Sequence, residues 1–244
     1  MNFSYSKLSS YETCPYKFKK IYIDKIPQKR TWQLCLGISA ADIVQQIYTA
    51  TDFDIETLIS QFWIPLQYKD EFKKSTTPSY EFLGYKTSVE ESAQKILLKA
   101  YIEDFLRHYG CEKPFGVEVP FELYFKDTKI TGRADMIKKD DSSGFLKIID
   151  EKLTSQFIPD LPNSMQLGIY FIALSDILKR FKITAVGYYY FKFGKEVLID
   201  SKNLNLIQIK NRICFILESI QKEVFDPKSN QYCRTCQFKG ECTK

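Results

Sequence analysis

Three short groups of residues carry side chains able to do phosphate chemistry. They are Thr131-Gly132-Arg133-Ala134-Asp135, Ile148-Ile149-Asp150-Glu151-Lys152 and Gln166-Leu167-Gly168-Ile169-Tyr170. Asp135 follows an apolar-patterned stretch and Asp150 ends another. Carboxylates that emerge side by side from neighbouring strand ends can hold a hard divalent cation. Lys152 lies two residues past Asp150, so in a strand both side chains share one face. An ammonium beside a metal-bound water can steady hydroxide or the charge that develops on phosphorus. Gln166 and Tyr170 are four apart, hence on one helical face, and can orient the lysine or a phosphate. Each pattern alone is more often a turn-forming Asp, a solvated ion pair or a helix border. Their joint order and spacing point to a site.

A second set is built from sulfur. Cys233, Cys236 and Cys242 stand at Cys-x₂-Cys-x₅-Cys spacing in a short tail, where packing gives no reason for three thiols. A tetrahedral or cubane centre needs a fourth ligand, and Cys14, followed by Pro15, is the best candidate. Zinc and an iron–sulfur cluster both accept four thiolates, and spacing alone does not separate them. Cys35, Cys111 and Cys214 lie in apolar or helical stretches and read as small core residues.

These residues need elements to position them. Residues 4–22, 34–50 and 55–62 read as helices, and 69–80 as a polar loop. Residues 87–109 read as a long helix with a capping-box spacing at Ser88 and Glu91. Its expected apolar face is Ile96, Leu97, Ala100, Tyr101 and Phe105. The period then changes to two. Residues 116–125 and 129–138 read as strands joined at Asp127-Thr128. Residues 145–151 read as a buried third strand. A helix over 164–180, strands over 183–193 and 196–200, and a helix over 204–224 complete the pattern. The expected class is α/β: a small mixed sheet flanked by helices, with an N-terminal helical part and a cysteine-rich C-terminal tail. No repeat or linker divides the chain, so residues 1–244 are expected to form one domain in which 1–30 and 225–244 meet.

Composition excludes other chemistries. The chain has 244 residues, seven cysteines and one histidine. One histidine leaves no room for a Cys₂His₂ finger or a three-histidine zinc enzyme. A Ser-His-Asp triad would have to use His108, in a charged helical stretch. The net charge of +5 is a mild basic bias. Part of it falls on Lys17, Lys19, Lys20, Lys25, Lys29 and Arg30, interleaved with Tyr16, Phe18 and Tyr22. Such a run can follow single-stranded DNA by charge and stacking, or form a solvated helix face. The start has no apolar leader core and no apolar run is long enough to span a membrane, so the expected location is cytoplasmic, where thiols stay reduced.

Together these features resemble the RecB-like branch of the PD-(D/E)xK nucleases. The likeness is to its iron–sulfur members, the CRISPR-associated RecB-like exonucleases and the nuclease domains of AddB-type helicase–nucleases. Residues Ser6 to Phe18 are similar to that group's Ser-x-Leu-x-x-Tyr-x-x-Cys-Pro-x-x-Phe opening. Its Gly-x-x-Asp falls on Gly132 and Asp135, its Asp/Glu-x-Lys on Asp150 and Lys152, and its Gln-x₃-Tyr on Gln166 and Tyr170. Its split cysteine cluster falls on Cys14, Cys233, Cys236 and Cys242. The resemblance implies a restriction-endonuclease-like core and a [4Fe-4S] cluster that pins the tail to the first helix. It also implies Mg²⁺- or Mn²⁺-dependent hydrolysis of DNA, single-stranded or at duplex ends. Asp135, Asp150 and the backbone carbonyl of Glu151 would be the metal ligands. An integrase or helicase would be the partner, in CRISPR adaptation, recombination or repair, in a host or a phage.

One departure is sharp. The group's Gly-x-x-x-His supplies a further metal ligand, but here Gly37 is followed at that place by Ala41, which cannot bind metal. Asp42 or Glu118 could substitute; the chain could be an inactive relative; or Ala41 could be an introduced change. The expected catalytic set is Asp135, Asp150, Lys152, Gln166 and Tyr170, with Arg133, Lys17, Lys19 and Lys20 against DNA. The readings of other classes are a non-catalytic iron–sulfur module that selects DNA ends for a partner, and a zinc-stabilised interaction protein.

Overall fold

Nine-residue helix α1 (Tyr5–Thr13) opens the chain, capped by Ser4, whose side chain accepts from the backbone N–H of Lys7. The structure is a computed structural model that describes residues 2–28, 32–63, 88–140 and 142–242. The polar loop expected over 69–80, together with Lys29 and Arg30, lies outside the described residues. The helix expected over 4–22 is broken. Cys14 is extended and Pro15 starts a new turn, α2 (Pro15–Phe18), followed by a π-helical turn at Lys19–Ile23. Proline cannot donate to the preceding turn and drives its predecessor out of the helical region, so the break sits at Cys14.

Helices α3 (Trp32–Thr49), α4 (Ile55–Phe62) and α5 (Ser88–Tyr109) come next. The five strands are β1 (Gly116–Phe125), β2 (Thr128–Lys139), β3 (Leu146–Lys152), β4 (Ile183–Tyr190) and β5 (Lys195–Asp200). Helix α6 (Met165–Ile177) links β3 to β4, and α7 (Leu206–Gln221) closes the core. The sheet order follows the sequence, β1-β2-β3-β4-β5. All neighbours are antiparallel except β3 and β4, which α6 makes parallel, as parallel neighbours require a crossover. The structure is therefore the expected mixed sheet flanked by helices.

Each face of the sheet has its own core. Helices α1, α6 and α7 cover one face with Leu8, Leu167, Ile169, Ile209 and Ile213 against Ile130, Ile148 and Val186. Helices α3, α4 and α5 cover the other with Ile43, Ile47, Leu58, Leu98 and Phe105 against Met136, Ile149 and Tyr189. The buried stripe of α5 is thus Leu98, Ile102, Phe105 and Tyr109, while Ile96 is 70% exposed and Leu97 41%. Both stripes have helical spacing and share Phe105; the packing of Leu98, Ile102 and Tyr109 in the core with Tyr189 selects the one that buries. Ser88's side chain is outside the described atoms, and Glu91 accepts from Trp63 Nε1 at 2.8 Å. Of the three cysteines expected in the core, only Cys35 is buried; Cys214 is half-buried and Cys111 exposed in the turn after α5.

One irregularity shapes the centre. In β1, Val117 packs on the α3 side and Val119 on the α6 side; in β2, Ala134 packs on the α6 side and Met136 on the α3 side. Alternation in a strand has period two, so the pleat inverts in both strands at once. The inversion falls on Glu118 and Asp135, the one facing pair missing from an otherwise continuous ladder. Glu118 takes φ +48° there, a left-handed conformation that costs a non-glycine residue about 1–3 kcal/mol and is found mostly where function requires it.

Candidate active site

Asp135 leaves β2 at the inversion, one residue beyond the last pair of the β2–β3 ladder, Met136 with Ile149. Its Oδ2 accepts from the backbone N–H of Glu151 at 2.9 Å, replacing a lost ladder bond. Asp150, at the end of β3, is 1% exposed and points to the α6 face. Its Oδ1 accepts from Gln166 Nε2 at 2.5 Å and Tyr170 O–H at 3.0 Å. Gln166 Nε2 also reaches the Tyr170 oxygen at 3.1 Å. Lys152 Nζ donates to Gln166 Oε1 at 2.8 Å and lies 2.5 Å from Asp150 Oδ2, off the direction of a good hydrogen bond. Asp150 Oδ2 thus has an ion pair but no well-aligned donor.

Four of the five expected catalytic side chains, Asp150, Lys152, Gln166 and Tyr170, therefore meet in one network, and Asp135 stands beside it, bonded to the Glu151 backbone. The α6 pair reaches it because Ser164 caps the helix, accepting from the Leu167 N–H, so that the first turn with Gln166 is in place. Burial and the Asp150 charge push the Asp135 carboxyl well above its ordinary range. Burial, then Asp135 and Asp150, do the same to Glu151. Burial works against the Lys152 ammonium, but Asp150 and Asp135 outweigh it and the pKa is raised. Buried carboxylates that repel each other around one ammonium lack positive charge, and their hard oxygens suit Mg²⁺ or Mn²⁺. The residues fit such an ion in donor type, although among the described residues no three His, Cys, Asp or Glu side chains stand in ion-holding geometry.

A cleft of about 440 Å³ opens beside this network. One wall is α3, through Leu34, Gly37 and Ala41; the other is Glu151, Lys152 and Thr154, and Phe191 also lines it. Ala41 therefore faces the same space as Lys152. Of the two acids able to stand in for a ligand there, Glu118 is half-buried and its charge acts on Asp135 and Glu151. Burial raises its pKa, against the opposing charge of Arg133, whose Nε is 3.1 Å from Glu118 Oε2. Asp42 is also raised by burial and offset by Arg133. Arg133 is thus tied to these acids.

Two lysines of the N-terminal basic run are engaged in ion pairs. Lys19 pairs with Asp24 at 2.7 Å, Lys20 with Glu241 at 2.8 Å, and Phe18 is fully buried. Lys17 borders a cavity of about 270 Å³ that Cys14, Cys233, Cys236 and Cys242 all line. Four soft thiols around one cavity fit a four-thiolate centre in donor type, without three of them standing in metal-holding geometry. The tail is held to the N-terminus by hydrogen bonds as well. Tyr11 O–H donates to the Val224 carbonyl at 2.6 Å, and Asn230 Nδ2 to that of Thr13 at 2.9 Å.

Sequence reasoning missed Tyr188, whose ring lies 5.3 Å from Lys152 Nζ and whose hydroxyl is 2.6 Å from Ser164 Oγ. The run Tyr188-Tyr189-Tyr190 was the available signal: successive tyrosines of a buried strand point to opposite faces, and each buried hydroxyl must reach a polar partner there.

The sequence profile of the PD-(D/E)XK nuclease superfamily matches residues 2–243. The chain belongs to that superfamily. PD-(D/E)XK nucleases generally use divalent metals such as Mg²⁺. Among solved structures, the "putative exonuclease" of Eubacterium rectale is similar to this PD-(D/E)XK chain over 97% of its length and 87% of the other's, at 13% identity and a TM-score of 0.58. That likeness is one of fold. SSO0001 aligns over 98% of this chain and 92% of its own at 17% identity, with a TM-score of 0.38, too low to carry an argument. No curated protein matches the chain. Among the described residues no helix is long and apolar enough to cross a membrane.

Proposed function

We propose that this PD-(D/E)XK nuclease is a RecB-like, Mg²⁺- or Mn²⁺-dependent DNA exonuclease that acts on DNA ends in CRISPR adaptation, recombination or repair, beside an integrase or helicase. The observation that carries the reading is the single network of Asp150, Lys152, Gln166 and Tyr170 with Asp135 one register step away. Asp135, Asp150 and the Glu151 carbonyl would hold the cation, with Glu118 in place of the imidazole absent at Ala41. A bound divalent ion supplies Lewis acidity and a more acidic water. Lys152, steadied by Gln166 and Asp150, would orient such a water and offset charge on the phosphate. Tyr170 and Gln166 hold Asp150 through Oδ1, fixing a carboxylate that would be one of the ion's ligands. Cys14, Cys233, Cys236 and Cys242 would carry a [4Fe-4S] cluster whose role is to clasp residues 1–30 to 225–244.

The test is cleavage of end-labelled single- and double-stranded DNA with Mn²⁺, comparing the chain with Asp150→Ala and Ala41→His. Cleavage that survives Asp150→Ala would sink the site. Ala41 in the cleft wall favours the second reading, an iron–sulfur module that binds DNA ends for a partner without cutting. It requires salt-dependent DNA binding with no cleavage at any metal concentration, before or after Ala41→His.

A further inference from the structure

Two segments leave the cleft side by side. Thr154 and Phe191 line it, and the chain continues from them as Ser155-Gln156-Phe157 and Lys192-Phe193. Lys192 Nζ ties the two together by donating to Ser155 Oγ at 2.9 Å. At their outer end the rings of Phe157 and Phe193 stack, with centroids 4.5 Å apart and planes 27° from parallel. They remain 43% and 45% exposed. Their support is a core residue: Tyr190, fully buried, meets Phe157 edge-on at 4.7 Å and Phe193 at 6.4 Å. The Tyr190 oxygen is fixed in turn by the Ile158 N–H at 3.0 Å. Tyr190 pairs directly with Lys152 in the parallel ladder, so the aromatic pair stands next to the strand position that carries the lysine of the site.

The charge around the rings is positive. Lys195 Nζ sits 5.8 Å from the Phe157 centroid. Among the described residues neither Lys192 nor Lys195 has a carboxylate partner, unlike Lys19, Lys20, Lys126 and Lys202. The nearby acids are otherwise engaged: Glu196 accepts from Tyr109 O–H at 2.7 Å, and Asp104 pairs with Arg107 at 2.8 Å. Exposed aromatic faces seated on a buried tyrosine, beside ammonium groups with no carboxylate partner among the described residues, match one ligand class well. Every nucleobase offers a π-face and every linkage an anion.

We propose that Phe157 and Phe193 form a base-stacking platform for the unpaired end of single-stranded nucleic acid, with Lys192 and Lys195 on its phosphates and the backbone running on into the cleft. The proposal rests on the nuclease reading for its substrate class, but binding can be measured without cleavage.

The experiment is fluorescence anisotropy in EDTA with the full chain and a labelled 12-nucleotide oligo-dT. The same strand with four terminal abasic sites is the control. Phe157→Ala/Phe193→Ala should weaken binding of the base-bearing strand about 5- to 100-fold, the range of stacking losses on alanine substitution, and leave the abasic strand unchanged. Phe157→Leu/Phe193→Leu, which keeps apolar bulk without a π-face, should lose binding similarly. Lys192→Ala/Lys195→Ala should weaken both strands and flatten the salt dependence. Equal losses on abasic DNA, or full binding by the leucine variant, overturn the platform. Loss of self-association in sedimentation without loss of DNA binding also overturns it, assigning the rings to a second copy. Absence of cleavage by the unaltered chain in Mn²⁺, with ring-dependent binding intact, would instead refute the nuclease reading alone.

Discussion

Gln166 is the residue whose removal most directly tests the network. It is buried at 6% exposure and joins Lys152, Asp150 and Tyr170 through bonds of 2.8, 2.5 and 3.1 Å. Gln166→Leu keeps most of the volume and deletes all three. Two of the bonds involve a charged partner, worth about 1.5–3 kcal/mol each, and one is neutral, worth about 1 kcal/mol. Part of this is recovered. Asp150 keeps the Tyr170 hydroxyl and Lys152 keeps Asp150, and leucine is favourably buried. A net loss of about 3 kcal/mol follows, which for a chain of this size lowers the melting temperature by roughly 6–12 °C. Thermal unfolding in EDTA reads this without reference to catalysis. In a Mn²⁺ cleavage assay, Lys152 loses its lateral support. A misplacement of about 1 Å costs roughly 100-fold. In a double-mutant cycle with Lys152→Met, the second change should then cost far less than the first, because both act through one ammonium. A Gln166→Leu protein that melts like the unaltered chain, or additive losses in the cycle, would refute the network as a unit.

Three further outcomes are expected. Gly187→Ala should cost about 3 kcal/mol or more, because a Cβ there meets the Val197 carbonyl oxygen at 2.1 Å in β5; Gly168→Ala meets only Ile209 side-chain atoms at 2.7 and 2.8 Å and should cost about 1–2 kcal/mol. Comparable melting curves would contradict this ordering. On the proposed cluster reading, Cys233→Ala should lose visible absorbance and bound iron, and fall in stability before activity per folded molecule, since a cluster joining Cys14 to the 233–242 segment would contribute to folding; an equally stable, colourless variant would contradict the clasp. Asp140, held by Ser142, Ser143 and Lys147, has its pKa lowered by those bonds below the ordinary 3.8. Its contribution is present above that value and is lost as pH falls through the folded pKa, so the melting difference between Asp140→Ala and the unaltered chain should shrink between pH 5 and about 2, and a constant difference would refute it.

How much was legible in the residues depends on the range over which each signal acts. The strand over Gly116–Phe125 and the helix over Ile55–Phe62 follow from local periodicity. The carboxylate–lysine pair follows from strand alternation, since Asp150 and Lys152 must share a face. The break at Cys14 is local too, but proline chemistry outweighed the helical pattern around it. The α5 stripe was legible only at Phe105, because Ile96 and Leu98 both fit helical spacing and only the packing of Leu98, Ile102 and Tyr109 beside it, in the core with Tyr189, chooses between them.

The chain's own residues determined which chemistry is available: acids and a lysine for phosphate, four thiols for a soft centre, and no histidine at position 41. Tertiary structure alone decided where they act. It set Ala41 and Lys152 on one cleft, and it buried Phe18 while exposing Phe157 and Phe193. It inverted two strands at Glu118 and Asp135 together. The reason is physical: side-chain type is local, but burial, field and strain are sums over neighbours that only the folded chain assembles.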